Sequence, residues 1–212
     1  MSKTETQARV PPSARLDEAL GFAVNLHRQQ FRKGTGIPYV SHLLAVAGLV
    51  LESGGTEDEV IGALLHDAIE DQADNWPGKA PALRAEIEKR FGPAVLAIVN
   101  ACTDSDAASK PTWRERKEKY LGHLRETDSS SALLVSAADK LHNARCILAD
   151  YRHSGEALWQ RFNEEARTAG HQLWYYESLV TVLQERGPAR IAAELGRTVA
   201  TLRQLVSEAE AR

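Results

Sequence analysis

Apolar positions recur every three to four residues along most of this chain, the spacing of helices with one buried face. Leu16, Leu20, Ala23 and Leu26 set the first stripe and predict a helix reaching about Phe31. Gly34, Gly36 and Pro38 interrupt it, and a second helix is expected over 41–53. Thr56 and Glu59 form a capping-box pair that opens a third helix, which ends before Pro77. A short helix over 81–90 stops at Phe91-Gly92, and Pro93 starts another that runs to Ala101. Past a polar loop at 104–110, Pro111 begins a highly charged helix to about Glu126. Helices over 129–149, 156–165 and 172–184 follow, and Pro188 starts the last, striped by Ile191, Leu195, Leu202 and Val206. No strand-like alternation, internal repeat or shift of composition interrupts the series. The expectation is one all-α domain over 13–212, a bundle of about eight to ten helices, behind a polar disordered tail at 1–12.

Bulk properties narrow the setting. A length of 212 residues is enough for one helical domain with a true core and short for two. Hydrophobic content of 43% with a mean hydropathy of -0.36 describes a soluble globular protein. A formal charge of -3 gives no general electrostatic reason to expect nucleic acid or an anionic membrane as partner. The polar first seven residues offer no secretory leader and no segment is long enough to span a bilayer, so the expected compartment is the cytoplasm. Cys102 and Cys146 stand far apart and read as reduced core residues.

One segment breaks the amphipathic rule. Residues 60–71 are apolar enough to be surrounded by protein, yet carry His66, Asp67, Glu70 and Asp71. At about 100° per residue, His66 lies nearly above Glu70 and Asp67 nearly above Asp71. An unpaired buried carboxylate costs several kcal/mol, so three on one helix call for a counter-charge, most economically a metal ion. The competing reading is a solvated polar stripe. An intermediate-hardness metal draws imidazoles and carboxylates from several helices. His42, at the start of the second helix, and Asp139, in the apolar run 133–139, are the further candidates.

His, then His-Asp, then a distant Asp is the ligand pattern of the HD phosphohydrolases. The local surroundings resemble one branch of them, the RelA/SpoT-type alarmone hydrolases. Residues 31–42 (FRKGTGIPYVSH), 65–71 (LHDAIED) and 138–145 (ADKLHNAR) resemble that family's three motifs in order and spacing, from about residue 15 to 185. With no room for a synthetase domain, the chain looks like a free-standing small hydrolase. The resemblance implies a helical HD domain holding one Mn²⁺ through His42, His66, Asp67 and Asp139. It implies hydrolysis of the 3′-pyrophosphate of guanosine tetra- or pentaphosphate to pyrophosphate and GDP or GTP. Leu43, Gln72 and Ala137 depart from the family's usual Pro, Thr and Leu, and none of the three is a ligand.

Roles for other residues follow. Glu70 and Asp71, one turn past the ligands, are placed to take a proton from the attacking water. Arg32 and Lys33 precede the turn to His42, and Asn143 follows Asp139 by one turn; all three are candidates for contacting substrate phosphate or ribose. Arg114 could reach distal phosphates, although its charge-balanced surroundings also suit a solvated face. Tyr175 resembles a nucleotide-contacting tyrosine, with core packing as the alternative. Lys140 reads as exposed, and His27, His123, His142, His153 and His171 lack a partner at a telling spacing. Two other functions share the pattern: an HD phosphohydrolase acting on an adenosine-type alarmone, a nucleoside monophosphate or the 2′-phosphate of NADPH, and a non-catalytic nucleotide-binding protein. A homodimer through the 189–208 stripe is a further option, against packing of that stripe within the chain.

Overall fold

The computed structural model describes residues 13–103 and 111–211; the tail and the polar loop expected at 1–12 and 104–110 lie outside them. Among the described residues there are ten α-helices and no strand beyond one isolated antiparallel bridge, Phe31 to Pro38. They are α1 (Ala14–Leu26), α2 (Val40–Glu52), α3 (Glu57–Leu65), α4 (Ala68–Gln72), α5 (Lys79–Phe91), α6 (Pro93–Cys102), α7 (Trp113–Glu126), α8 (Ser130–Ser154), α9 (Ala169–Arg186) and α10 (Ala189–Glu210). Among the described residues no helix is long and apolar enough to cross a membrane.

Local chemistry sets several starts. The hydroxyls of Thr56 and Thr112 accept from backbone N–H groups at the third helical positions of α3 and α7, while Glu59 and Glu115 reach back, completing two capping boxes. Ser13 and Ser129 cap α1 and α8. Tertiary packing explains the apolar segments. α3 is enclosed by α1, α2, α6 and α8, so every residue from Val60 to Leu65 is buried and its sequence shows no polar face. α8 touches α2, α3, α6, α9 and α10, and its central residues are buried accordingly.

Three expectations change, and one choice between two readings is made. The first helix ends at Leu26, five residues early, because the chain folds into a turn: Arg32 N–H donates to Ile37 O (2.8 Å) and Tyr39 N–H to Gln30 O (2.9 Å). The third helix pauses at His66-Asp67 before resuming as α4, although Asp71 N–H still donates to Asp67 O (2.9 Å). The expected helix at 156–165 is two 3₁₀ stretches, Gly155–Arg161 and Glu164–Ala166, after an α8 that extends past Ala149 to Ser154. Finally, Ile191, Leu195, Leu202 and Val206 are each at most 3% exposed, because α10 packs on α8 and α9; the stripe is an internal seam rather than a dimer face.

Two helix-interior glycines test this packing with opposite signs. A Cβ on Gly62 would lie 2.6 Å from Cγ2 and 3.1 Å from Cβ of Ile98, a buried branched side chain that cannot swing away. A Cβ on Gly48 would meet nothing within 4 Å. Gly62→Ala should lose about 1–3 kcal/mol of stability through overpacking. Gly48→Ala should gain up to about 1 kcal/mol of helix propensity. Urea unfolding of both variants reads the difference, and equal signs would contradict the close α3–α6 contact.

Candidate metal centre

The turn between α1 and α2 delivers His42 to the first turn of α2. The pause between α3 and α4 presents His66 and Asp67, and the middle of α8 presents Asp139. These side chains meet. Nε2 of His42 lies 3.3 Å from Nε2 of His66. Asp67 Oδ2 is 2.9 Å from the His66 nitrogen and 3.5 Å from that of His42. Asp139 Oδ1 is 3.2 Å from His42 Nε2 and 3.8 Å from His66 Nε2. Ligand atoms of His42, His66 and Asp139 all fall within 4.8 Å of one another, and Asp67 joins through the same two imidazoles. His42, His66 and Asp139 are buried, and the Asp67 side chain is 18% exposed.

The electrostatics show what this cluster favours. Burial pushes the Asp139 carboxyl up, but Lys140 and the bonds from His42 and His66 outweigh it and hold the group well below the usual carboxylate range. Burial opposes Asp67 likewise, and His66 and His42 hold it low. Burial pulls the His66 imidazole down, yet Asp67 and Asp139 raise it well above its ordinary value. Two carboxylates therefore draw a proton onto a buried imidazole. Two imidazole nitrogens and two carboxylates facing one another at 2.9–3.8 Å fit a divalent cation, which neutralises both acids where a proton neutralises one.

A polar cleft adjoins the cluster, lined by Tyr39, Asp67, Glu70, Asp139, Lys140 and Asn143 among others. Tyr39 OH donates to Asp67 Oδ2 (2.6 Å). Glu70 is exposed there, whereas Asp71 is only partly exposed and is held by Gln30, whose Nε2 donates to its Oδ2 (2.7 Å). Gln30 is itself fixed: its Oε1 accepts from Gln72 Nε2 (2.5 Å) and from His27 Nδ1 (2.6 Å). Burial and then the charge of Asp67 raise the Asp71 carboxyl, against the Gln30 bond. Arg32 NH2 donates to Asn143 Oδ1 (2.9 Å), and Asn143 Nδ2 donates to Asp139 Oδ1 (2.5 Å), so both candidates sit beside the cluster.

The remaining candidates lie farther out. Lys33 is tied to Asn163 on the surface. Arg114 pairs with Glu118 (2.6 Å), stacks over Trp174 (3.2 Å to the ring centre) and does not line the cleft. Tyr175 is buried among Trp113, Trp174 and Tyr176, with the Lys117 ammonium 5.1 Å from its ring centre. Lys140 corrects the sequence reading: its side chain is 17% exposed, 2.6 Å from Asp139 Oδ2 and 4.8 Å from the centre of the Tyr120 ring that covers it. Two histidines set aside by the sequence reading also take part. His27 stacks on Tyr39 (5.4 Å between centres, 18°). His142 Nδ1 lies 2.7 Å from His42 Nδ1, and burial, followed by His42 and Arg32, pulls its pKa down to about 4. Its position three residues after Asp139, on the same helix face, was the available signal.

The HD-domain family profile matches residues 19–166. The chain belongs to the HD-domain family. Similarity extends to the guanosine-3′,5′-bis(diphosphate) 3′-pyrophosphohydrolase MESH1 of Mus musculus, 35% identical over 136 residues that cover 63% of this chain and 69% of that protein. The GTP pyrophosphokinase rsh of Brucella melitensis is 34% identical over 138 residues, 63% of this chain and 17% of that one. Among solved structures, a metazoan SpoT orthologue described as hydrolysing ppGpp and acting in starvation responses superposes with a TM-score of 0.69 at 28% identity, covering 90% of this chain and 96% of its own. HD-domain hydrolases of this kind are metal-dependent, and the His42, His66 and Asp139 cluster lies within the matched span.

The Lys140 ion pair supplies a test of charge balance. Lys140→Met should cost about 3–5 kcal/mol in chelator-treated protein, where Asp139 loses its nearest cation. The cost should shrink once a divalent metal is added. Urea unfolding in EDTA and in Mn²⁺ measures both values, and equal costs would mean that Lys140 contributes packing rather than charge.

Proposed function

We infer that the protein is a divalent-metal-dependent hydrolase that removes the 3′-pyrophosphate from guanosine 3′,5′-bis(diphosphate)-type nucleotides, giving pyrophosphate and GDP or GTP. The observation that carries this reading is the convergence of His42, His66, Asp67 and Asp139 in the interior, beside a polar cleft, in a chain of this family. Manganese is the metal proposed for the four donors, since mixed imidazole and carboxylate sites suit it; iron, cobalt and zinc share these ligands. A divalent ion held there lowers the pKa of a water molecule and offsets charge on the phosphoryl oxygens.

The chain's own groups supply the rest. Asp71, fixed by Gln30, is assigned as the base that takes the proton of the attacking water, with Glu70 on the cleft wall orienting that water. Tyr39 anchors the Asp67 carboxylate so that it keeps its place as the substrate arrives. Arg32 and Asn143 flank the cluster and are assigned to phosphate and ribose. Lys33, Arg114 and Tyr175 remain proposed contacts for the outer parts of the nucleotide, each requiring a side chain to leave or share its present partner. The expected compartment in this reading is the cytoplasm, and the expected partner is the nucleotide substrate, with neither nucleic acid nor membrane.

Purified protein with Mn²⁺ should release pyrophosphate from guanosine tetraphosphate, and EDTA should abolish the release. A panel including adenosine analogues and NADPH separates base preference from phosphate position, and no turnover on any member would end the enzyme reading. Asp71→Ala and Glu70→Ala should each lower kcat by about 10²–10⁴-fold with metal content unchanged. Metal loss in either variant would make that acid a ligand instead.

The pH profile follows from the Asp71 environment, where Asp67, His66, Tyr39 and Gln30 face its carboxylate. In the metal-free protein its pKa is raised, so the Asp71 carboxyl, read by ¹³C NMR in EDTA, should titrate at a higher pH than an ordinary aspartate, near 3.9. Titration at or below the ordinary value in EDTA would contradict the enclosed placement of Asp71 facing the Asp67 carboxylate.

A further inference from the structure

His42 presents its two ring nitrogens to different surroundings. Nε2 faces His66, Asp67 and Asp139, while Nδ1 lies 2.7 Å from Nδ1 of His142 on α8. The two rings are 4.9 Å apart between centres and tilted by 42°. Two nitrogens at that separation share one proton: one donates and the other accepts. When His42 Nε2 gives its lone pair to a cation, the ring hydrogen must sit on Nδ1. His142 Nδ1 is then the acceptor, and the hydrogen of His142 sits on Nε2, whose neighbour is Cys146 Sγ at 3.6 Å.

The second imidazole is oriented differently. His66 Nδ1 lies 2.8 Å from the backbone carbonyl of Ala63, an acceptor that every residue type supplies. Only the orienter of His42 is a side chain, and so only this one can be exchanged by substitution.

We propose that His142 is the positioning residue for the metal ligand His42, its unprotonated Nδ1 fixing the tautomer and ring plane that leave Nε2 free for a divalent cation. The proposal rests on the reading of His42 as a ligand. Charge balance favours an imidazole over a carboxylate in this place. A neutral acceptor beside His42 adds nothing to the charges that Asp67, Asp139 and Lys140 already set there, whereas a third acid would add another charge to be desolvated. The small area around His42 is also tightly specified, since His142 is flanked by Asn143, which bonds both Arg32 and Asp139. A ring held from one side by His142 and from the other by the cluster has little freedom to turn, and orienting groups of this kind set metal affinity.

The test uses the full chain, stripped with chelator and titrated with Mn²⁺ against a chromophoric competitor. Asn at 142 keeps an acceptor, because its Oδ1 falls where the imidazole Nδ1 was; Leu at 142 keeps bulk and removes the acceptor. His142→Leu should weaken metal binding about 10–100-fold. His142→Asn should stay within about threefold of wild type. Leu binding within twofold of wild type, or Asn as weak as Leu in a folded protein, would overturn the proposal. If the Leu variant does not fold, ¹⁵N shifts of the zinc-loaded wild-type protein decide the matter. His142 protonated on Nε2 alone supports the assignment, and hydrogen on its Nδ1 refutes it. Wild-type protein that binds no divalent ion would instead remove the metal reading itself, a result distinct from loss of the His142 role.

Discussion

Asp67 and Asp139 reach the same pair of imidazoles from two different helices, and removing two carboxylates from water costs several kcal/mol each. The fold is arranged so that this cost is met locally. Lys140 lies against Asp139, Tyr39 donates to Asp67, and His66 keeps a proton far above its ordinary range in the metal-free protein. Each of these is a partial answer, because one ammonium and one proton are spread among several acceptors. A dication at the meeting point answers all of it at once. This explains why the donors come from α2, the α3–α4 junction and α8, which are packed against one another. A surface site would exert no such demand, since water would screen the acids.

The same constraint divides labour between neighbouring acids. Asp67 and Asp139 are held ionised by cations and imidazoles around them. Asp71 is one turn away from Asp67, with no cation bonded to it, and its carboxyl is raised instead. In the metal-free protein identical side chains are thereby driven in opposite directions by environment, Asp67 and Asp139 downward and Asp71 upward, a separation that suits the roles proposed for them. Gln30 makes the raised group usable by fixing one oxygen. With Oε1 of Gln30 receiving hydrogens from both Gln72 and His27, its amide nitrogen has to point toward Asp71.

Much of this was legible in the chain, and the failures share a cause. The helical stripes, the capping box at Thr56 and the contradiction of acids in the apolar run 60–71 are local facts, and local reasoning reads them. His42 and Asp139 were found because each sits in its own recognisable motif. The turn before His42 was read from Gly34, Gly36 and Pro38, but the end of α1 at Leu26 was placed too late, because the backbone bond between Gln30 and Tyr39 that closes the chain is not visible in a side-chain stripe. Lys140 was read as exposed because its helix neighbours do not show that Tyr120 of α7 lies over it. His142 lies one turn from Asp139 on its own helix, a spacing that hinted at the cluster, but its partner is a nitrogen 100 positions earlier in the sequence.

The departures from the family's usual pattern now have locations. Leu43 and Ala137 are fully buried and fill the core, each a short step along the chain from His42 or Asp139. Gln72 is different. A threonine in its place could not extend an amide to Gln30, whereas Gln72 Nε2 reaches Gln30 Oε1 and its own Oε1 accepts from Asn75 (3.3 Å). The substitution therefore enters the chain of hydrogen bonds that ends at Asp71 while leaving the four cation-facing side chains alone. Chemistry set by charge in the interior is insensitive to such a change. The orientation and proton affinity of Asp71, the proposed base, are set by a string of amides and are not, so in this reading rate and pH response should be sensitive to positions 30 and 72.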